Sequence, residues 1–158
     1  MFRFSGFIFL SLALAVPVAA QQSALGIFSS WGAFRDARRC YAISEPENRD
    51  GKGGFASVSW WPGRSVRGQL HIRLDRPKRP GSAVLMRIDA RTFQLVGGGT
   101  DAWAPNAAAD REIVAAMRTG ITMVVETRSV GGALIRGAYA LRGAASALDA
   151  AAVGCAAS

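Results

Sequence analysis

Alternating apolar and polar side chains run through most of the chain and predict β-strands. Leu70, Ile72 and Leu74 share one side of such a segment, and the polar residues between them share the other. Because successive side chains of a strand point to opposite faces, this period of two predicts a sheet with one buried face and one solvated face. Strands are predicted at 27–34, 40–44, 55–61, 69–75, 84–88, 93–95, 121–127 and 134–141. About seven or eight short strands with turn residues between them indicate a β-sandwich or a small barrel.

The segment 55–61 shows the same alternation next to a pair of tryptophans. Its predicted buried side comprises Ala56, Val58 and Trp60. Ser57 and Ser59 fall on the other side and are predicted to face solvent. Trp61 follows Trp60 directly and therefore points away from the core.

One segment departs from this period and predicts a helix of about 107–118. Its apolar stripe, at helical spacing, comprises Ala109, Ile113, Ala116 and Met117. Asn106 is predicted to cap the first turn, and Gly120 to end the helix in the left-handed conformation. Asp110 and Arg118 lie near the helix ends whose partial charges oppose theirs. We expect this helix to pack its apolar stripe against the sheet.

The C-terminal region predicts a second, shorter helical element. Ser146 and Asp149 have the spacing of a capping box and precede an alanine-rich turn that ends at Gly154. The polar stretch 45–54 has no apolar periodicity and predicts a loop. No internal repeat or second composition block is evident, so residues 27–155 are predicted to form a single domain.

Residues 1–20 have the features of a secretory signal peptide. Arg3 precedes an apolar run at 7–16, and small side chains lie just before Gln21. The alternative is a membrane anchor, but the run is shorter than the ~18–20 apolar residues that span a bilayer. Cleavage near Ala20 would place the protein in the periplasm or outside the cell.

The chain of 158 residues carries a formal net charge of +8. Such a charge favours anionic partners, which include acidic proteins, acidic glycans and lipid headgroups at a membrane surface, although scattered arginines are commonly just a solvated face. Nucleic acid is a poor candidate, because the predicted export leaves it out of reach and no nucleic-acid-binding motif is present. We therefore expect an anionic envelope component or a protein as the partner.

The two cysteines, Cys40 and Cys155, lie near opposite ends of the predicted domain. In an oxidising compartment, an even pair is interpreted first as a disulfide. The alternative is two buried free thiols, since the sequence does not show whether the two Cα atoms are close enough to be bridged.

Trp61, Arg64 and Arg67 form the candidate partner-binding group. They place an outward aromatic ring beside two cations in one predicted turn. Such a group suits an acidic glycan, a lipid headgroup region or a protein surface. The alternative is that Trp61 packs beneath a neighbouring loop.

Three further features have mainly structural interpretations. His71 is the single histidine and is predicted on the solvated side of its strand, with Asp75 about 13 Å further along at ~3.3 Å per residue. Residues 97–99 are three glycines that turn the chain or, alternatively, cradle an anion. The basic segment 76–80 is predicted to be a solvated connector or, alternatively, a contact for an anionic envelope component. No metal-binding or nucleophile motif is present, so we predict no catalytic residues and no cofactor.

Several motifs together resemble the invasion-associated locus B family of exported bacterial proteins. The similarity covers an early tryptophan strand followed by residues 39–41, the hairpin ending at 93–95, the helix 113–120 with its following strand, and residues 139–148. The resemblance implies an immunoglobulin-like β-sandwich at the cell envelope, loosely associated with host-cell invasion and without catalytic residues. Members usually carry further cysteines, one soon after the early tryptophan and others before the helix, which this chain lacks. Only Cys40 matches a cysteine of the family, so the resemblance makes Cys155 its expected partner.

These observations lead to two functional hypotheses. The first is an exported, non-enzymatic β-sandwich that binds an envelope partner through its aromatic and arginine-rich loops. The second is a small periplasmic enzyme that acts on an anionic or glycan substrate through His71 and a nearby carboxylate. A carboxylate within hydrogen-bond reach of His71, inside a concave pocket, would favour the second hypothesis.

Overall fold

The chain folds into antiparallel strands and two helices, as seen in a computed structural model that describes residues 22–47 and 53–156. The strands are Ser23–Phe28 (β1), Trp31–Arg35 (β2), Cys40–Ser44 (β3), Phe55–Trp61 (β4), Val66–Arg73 (β5), Val84–Ile88 (β6), Arg91–Gly98 (β7), Asp101–Trp103 (β8), Thr122–Arg128 (β9) and Leu134–Ala140 (β10). The helices are Ala107–Thr119 (α1) and Ala144–Ala156 (α2). The prediction of a mainly β fold with two helical elements is confirmed.

All ten of these strands belong to one continuous sheet. Its order is β1-β2-β3-β4-β5-β8-β7-β6-β9-β10, and every neighbouring pair is antiparallel. The two ends of the sheet approach each other, because the indole Nε1 of Trp31 donates to the carbonyl oxygen of Ala140 at 2.9 Å. The N–H of Glu47 donates to the carbonyl oxygen of Ala138 at 2.7 Å. The sheet is therefore folded over on itself in a sandwich-like arrangement.

A single hydrophobic cluster fills the space between the two halves of the sheet. Its fully buried members include Trp31 from β2, Met86 from β6 and Met123 from β9. Ile113 from α1 and Leu148 from α2 complete it from the helical side. Since each such side chain contributes roughly 1.5–3 kcal/mol by leaving water, this shared cluster joins all the layers into one folding unit.

The predicted alternation is confirmed along most strands but fails for two serines of β4. Ser57 and Ser59 are buried, although they lie on the face opposite Val58. They occupy a central strand, where His71 of β5 lies beside Ser57 and Tyr41 of β3 lies beside Ser59. These larger neighbours cover the short hydroxymethyl groups.

The structure contains two strands that the sequence pattern does not predict. The predicted strand 27–34 is divided by a turn at Ser29, whose φ is 58°, so β1 begins at Ser23, before the predicted strand. The glycines at 97–99 turn the chain into β8 rather than directly toward the helix. A Cβ on Gly97 would lie 2.1 Å from the carbonyl oxygen of Asp101, so only glycine permits this hairpin.

Helix α1 begins as predicted and ends for a different reason. The side chain of Asn106 accepts the N–H groups of Ala108 and Ala109, both at 3.0 Å, which confirms the N-cap. The prediction of a left-handed Gly120 is wrong, since its backbone is extended with φ of −76°. A Cβ at Gly120 would lie 2.7 Å from Cγ2 of Ile88. Glycine is required there because β6 passes close to the helix end.

Asp110 joins α1 to the sheet as well as lying near the helix N-terminus. Strand β8 pairs with β5 only through His71–Arg73. The N–H of Leu70 lies beyond that pairing and donates to Oδ1 of Asp110 at 2.8 Å. Burial raises the pKa of Asp110, and the hydrogen bond from Leu70 opposes this shift without cancelling it.

Helix α2 is longer than the predicted turn and starts before the predicted capping box. It runs for 13 residues and includes Gly154. A Cβ on Gly154 would lie 2.7 Å from Cδ1 of Leu25, so this glycine lets β1 lie close to the helix. Asp149 forms an ion pair with Arg118 at the end of α1 instead of capping α2. Alanine's high helix propensity accounts for the extra length.

The disulfide between Cys40 and Cys155 attaches the end of α2 to strand β3. The two Cα atoms lie 5.7 Å apart, and 115 positions of sequence separate the residues. Closing so long a loop restricts the unfolded chain, which the entropy model values at about 4–5 kcal/mol. The predicted pairing is therefore present in the structure.

No helix within residues 22–47 and 53–156 is both long and apolar enough to cross a membrane. The predicted signal peptide, residues 1–20, lies outside the described residues.

Replacement of Asp110 tests the contact between α1 and β5. Asp110→Asn keeps an oxygen that can accept the Leu70 N–H, so the free energy of unfolding at pH 7 should stay within about 1 kcal/mol of the parent value. Asp110→Ala leaves that N–H unpaired and should lower the free energy of unfolding by about 1–3 kcal/mol. Urea unfolding followed by circular dichroism measures both. Equal values for the two variants would contradict the contact.

The same carboxyl group predicts a pH dependence of stability. Because the pKa of Asp110 is higher in the folded than in the unfolded protein, its favourable contribution is complete below its ordinary pKa of 3.8 and is lost as pH rises through the folded value. As pH rises from acid to neutral, the free energy of unfolding of Asp110→Asn should therefore increase relative to that of the parent. A constant difference would contradict this assignment.

The disulfide can be tested directly. Mass spectrometry of a non-reduced digest should show the peptides of Cys40 and Cys155 linked. Replacing both by serine should lower the free energy of unfolding by about 2–5 kcal/mol. The reduced parent protein is the matched control and should behave like the double variant. Two alkylatable thiols in the native, oxidised protein would contradict the linkage.

Candidate functional site

The pairing of β3 with β4 brings a basic turn next to Trp61. Cys40 lies opposite Trp60 in this ladder, so the residue before Cys40 lies beside the residue after Trp60. The guanidinium carbon of Arg39 accordingly lies 5.1 Å from the ring centroid of Trp61 and 4.4 Å from that of Tyr41. Arg39 thus bridges two aromatic rings on the outer face of the sheet.

A second arginine reaches Trp61 from the other direction. A short 3₁₀ turn, Pro62–Arg64, follows β4 and is closed by Ser65, whose φ is 55°. This turn places the guanidinium carbon of Arg64 5.2 Å from the ring centroid of Trp61. Trp61 is therefore half-buried. Its exposure lies between the two alternatives drawn from the sequence, a ring that points outward and a ring that packs beneath a neighbouring loop. Its Nε1 is buried and has no acceptor among the described residues.

These segments enclose a cavity of about 400 Å³ at one end of the sheet, which we call the arginine pocket. Its lining side chains are Arg35, Arg38, Arg39, Arg64, Asp36, Trp61 and Cys155. Four arginines line the cavity together with one acidic residue. Cys155 of the disulfide also lines it, so the end of α2 helps to shape it.

The single carboxylate in the arginine pocket is already occupied by internal hydrogen bonds. Asp36 accepts the N–H groups of Arg38 at 2.9 Å and Arg39 at 3.0 Å, and the Nε of Arg39 at 3.2 Å. Partial burial favours a higher pKa, but these hydrogen bonds outweigh it and hold the pKa of Asp36 below its ordinary value. Within the described part of the chain, neither Arg38 nor Arg64 forms an ion pair. The pocket therefore keeps an excess of positive charge.

Arg67 does not line the arginine pocket. It is opposite Trp60 across β4 and β5. It lines an adjoining cleft of about 650 Å³ together with Trp61, Ala152 and Val153. The structure thus brings Trp61 and Arg64 together in the arginine pocket and places Arg67 beside Trp61 in the adjoining cleft.

His71 has a carboxylate partner, but a different one from the residue considered in the sequence. Its Nε2 lies 2.8 Å from Oδ1 of Asp101, which β8 places beside β5. Arg73 donates to both oxygens of the same carboxylate, at 3.0 and 2.9 Å. The ring of Trp103 stacks on the imidazole with centroids 5.4 Å apart.

The surroundings of this pair resemble a structural ion-pair network. Burial favours a higher pKa for Asp101, yet the hydrogen bonds from His71, Arg73 and Thr100 lower it overall. The carboxylate is shared among three donors, so it does not serve His71 alone. Four cavities lie on the surface of the described part of the chain, and His71 lines none of these four. The geometry supplies the carboxylate that the enzyme hypothesis requires, but it places His71 in none of these four cavities.

The basic segment 76–80 is not a solvated connector along its whole length. Lys78 is buried, and its Nζ donates to the carbonyl oxygen of Arg79 at 3.1 Å. The backbone N–H of Lys78 donates to the carbonyl oxygen of Gly99 at 2.8 Å. The prediction of a solvated connector is therefore wrong at Lys78. The segment bridges two hairpins, and its backbone forms hydrogen bonds with both.

Sequence reasoning missed three of the four arginines in the pocket. The basic turn containing Arg35, Arg38 and Arg39 is visible in the sequence, but the register of β3 against β4 is not. Even with the pairing of Cys40 and Cys155 predicted, the sequence does not show that α2 lies beside this turn and lines the pocket. Among residues 22–47 and 53–156, no group of three or more histidine, cysteine or acidic side chains could hold a metal ion.

Comparison of the chain with protein-family models, with curated proteins and with solved structures finds no significant match.

Proposed function

We propose that this protein is an exported, non-enzymatic binding module of the cell envelope that contacts an anionic partner through the arginine pocket. The observation that carries the proposal is the concentration of four arginines in one cavity, two of them against Trp61, with a single carboxylate that is already hydrogen-bonded. The contact is electrostatic at Arg38 and Arg64 and partly aromatic at Trp61.

The net charge supports an anionic partner over a cationic one. The chain carries +8, and the arginine pocket concentrates part of that excess in one concave place. A concave surface of one charge sign focuses the electrostatic field and increases the rate at which an oppositely charged partner associates. The acidic residues Asp75, Asp101 and Asp149 are paired with arginines elsewhere in the fold, so they do not neutralise the pocket.

Export is supported by the disulfide and by the sequence features of the first 20 residues. A disulfide persists in oxidising compartments such as the periplasm or the extracellular space. The resemblance to the invasion-associated locus B family agrees with an envelope location, and any part in host-cell invasion belongs to that resemblance alone. In this proposal, the partner is an anionic envelope component or an acidic protein, no cofactor is required, and a peripheral membrane contact is compatible with the basic pocket.

The contact between His71 and Asp101 favours a second candidate, a periplasmic enzyme acting on an anionic or glycan substrate. A histidine oriented by a carboxylate at 2.8 Å has the geometry of a general base. The Nη1 of Arg73 donates to both oxygens of the same carboxylate, which favours a structural role instead. We therefore place this function second.

The salt dependence of envelope binding tests the proposal. Arg64→Gln should weaken binding to envelope extract mainly near 0.1 M salt, since the screening length falls from about 10 Å there to about 3 Å at 1 M. Trp61→Ala should weaken binding at every salt concentration, because it removes the ring that supports both guanidiniums. Arg87→Gln, an exposed charge on β6, is the matched control and should bind like the parent. Co-sedimentation measures all three.

Two results would overturn the proposal. One is unchanged binding in both Arg64→Gln and Trp61→Ala. The other is a measurable hydrolysis of a phosphorylated or glycan substrate that His71→Ala abolishes and Arg64→Gln leaves intact. The second result would put the enzyme hypothesis first.

A further inference from the structure

We infer that the arginine pocket recognises a phosphate monoester group, held by the guanidiniums of Arg38, Arg39 and Arg64. This inference rests on the proposed anionic-partner function and narrows it to one ligand chemistry. The group can come from a lipid headgroup or from a free phosphorylated small molecule, and both sources present the same oxygens to the pocket.

The balance of charge in the pocket calls for more than one negative charge. Four arginines line the pocket with one acidic residue, Asp36, whose carboxylate is committed to Arg39 and to two backbone N–H groups. A carboxylate ligand would bring a single negative charge. A phosphate monoester brings about −1.5 to −2 at pH 7 and so matches the remaining excess more closely.

The number and shape of the donors also favour phosphate. Each guanidinium presents parallel N–H groups that suit two oxygens of a carboxylate or a phosphate. A bound carboxylate has two acceptor oxygens. A phosphate monoester has three terminal acceptor oxygens, so several arginines that converge on one cavity can each donate to it.

Neighbouring groups restrict several of these arginines before any ligand arrives. Arg39 is held by Asp36, by the hydroxyl of Ser59 at 3.3 Å and by two aromatic rings. Arg64 lies over Trp61, and the Nη1 of Arg35 is 3.4 Å from the carbonyl oxygen of Gly154. Binding therefore costs less conformational entropy than it would with free surface arginines.

The size of the pocket limits the ligand to a compact group. A cavity of about 400 Å³ lies at the lower end of the range for small-molecule sites, roughly 300–1,000 Å³. Cys155 and the end of α2 form one wall, and the turn 62–64 forms another. A single headgroup fits this space, whereas an extended polyanion would contact only its mouth.

The inference is tested by titrating the oxidised, full-length protein with inorganic phosphate and, separately, with acetate. Isothermal titration calorimetry gives the affinities, and the ¹⁵N-edited spectrum of the Trp61 indole N–H reports the place of binding. Phosphate should bind at least about tenfold more tightly than acetate, because it engages additional charged hydrogen bonds. Equal affinities would overturn the assignment to phosphate.

A pair of double variants separates the pocket from the general charge of the protein. Arg38→Gln with Arg64→Gln should weaken phosphate binding by about tenfold or more. Arg87→Gln with Arg111→Gln removes the same charge from exposed positions outside the pocket and should leave the affinity within about twofold of the parent. Circular dichroism confirms that both variants are folded. Equal weakening in both would overturn the pocket as the binding site.

The two sources of phosphate are distinguished with vesicles. Binding to phosphatidylcholine vesicles that contain phosphatidic acid, together with competition by inorganic phosphate, would assign the site to a lipid phosphate. Binding of inorganic phosphate without vesicle association would assign it to a soluble ligand.

The outcomes also separate this inference from the proposed function. If phosphate fails to bind while envelope binding still depends on Arg64, the partner is anionic but not a phosphate monoester, and only the inference falls. If phosphate binds in the pocket while envelope extract does not bind at all, the phosphate site stands and the envelope proposal falls.

Discussion

The register of β3 against β4 is the constraint on which the rest of the molecule depends. By placing Cys40 opposite Trp60, it puts Arg39 next to Trp61 and sets the sulfur of Cys40 beneath the end of α2. A slip of one residue would turn Cys40 to the outer face, where no disulfide to α2 could form. It would also turn Ala42, on the same strand and face, out of the core. Both the covalent link and the apolar burial therefore stabilise the same register.

The helices cover the sheet by two different means. Helix α1 inserts Ile113 and Met117 into the core and contributes an acceptor, Asp110, where β5 extends past its partner strand. Helix α2 is poor in large side chains, since Leu148 is its single large buried residue among small alanines. The disulfide and the burial of Leu148 and three alanines attach it, and an exposed ion pair between Asp149 and Arg118 adds little. One wall of the arginine pocket is thus built from a helix that is covalently linked to β3.

Charge is distributed so that one end of the sheet stays positive. Along the outer face, Asp101 is shared by His71 and Arg73, which leaves little free charge there. At the pocket end, the backbone N–H groups of the turn and the side chain of Arg39 take up the charge of Asp36, so the other arginines stay available. A phosphate monoester in the pocket would provide the acceptors that the protein itself does not supply. Binding and local fold would then support each other.

The elements of the fold that the sequence predicted are those that depend on residues close to one another along the chain. Period-two alternation located most strands, and Asn106 with its apolar stripe located α1, because both depend on residues close in sequence. Tertiary structure decided what distant residues do, since alternation specifies neither strand order nor register. That is why Asp101 beside His71, Gly120 against Ile88 and the convergence of arginines on Trp61 appear only in the fold.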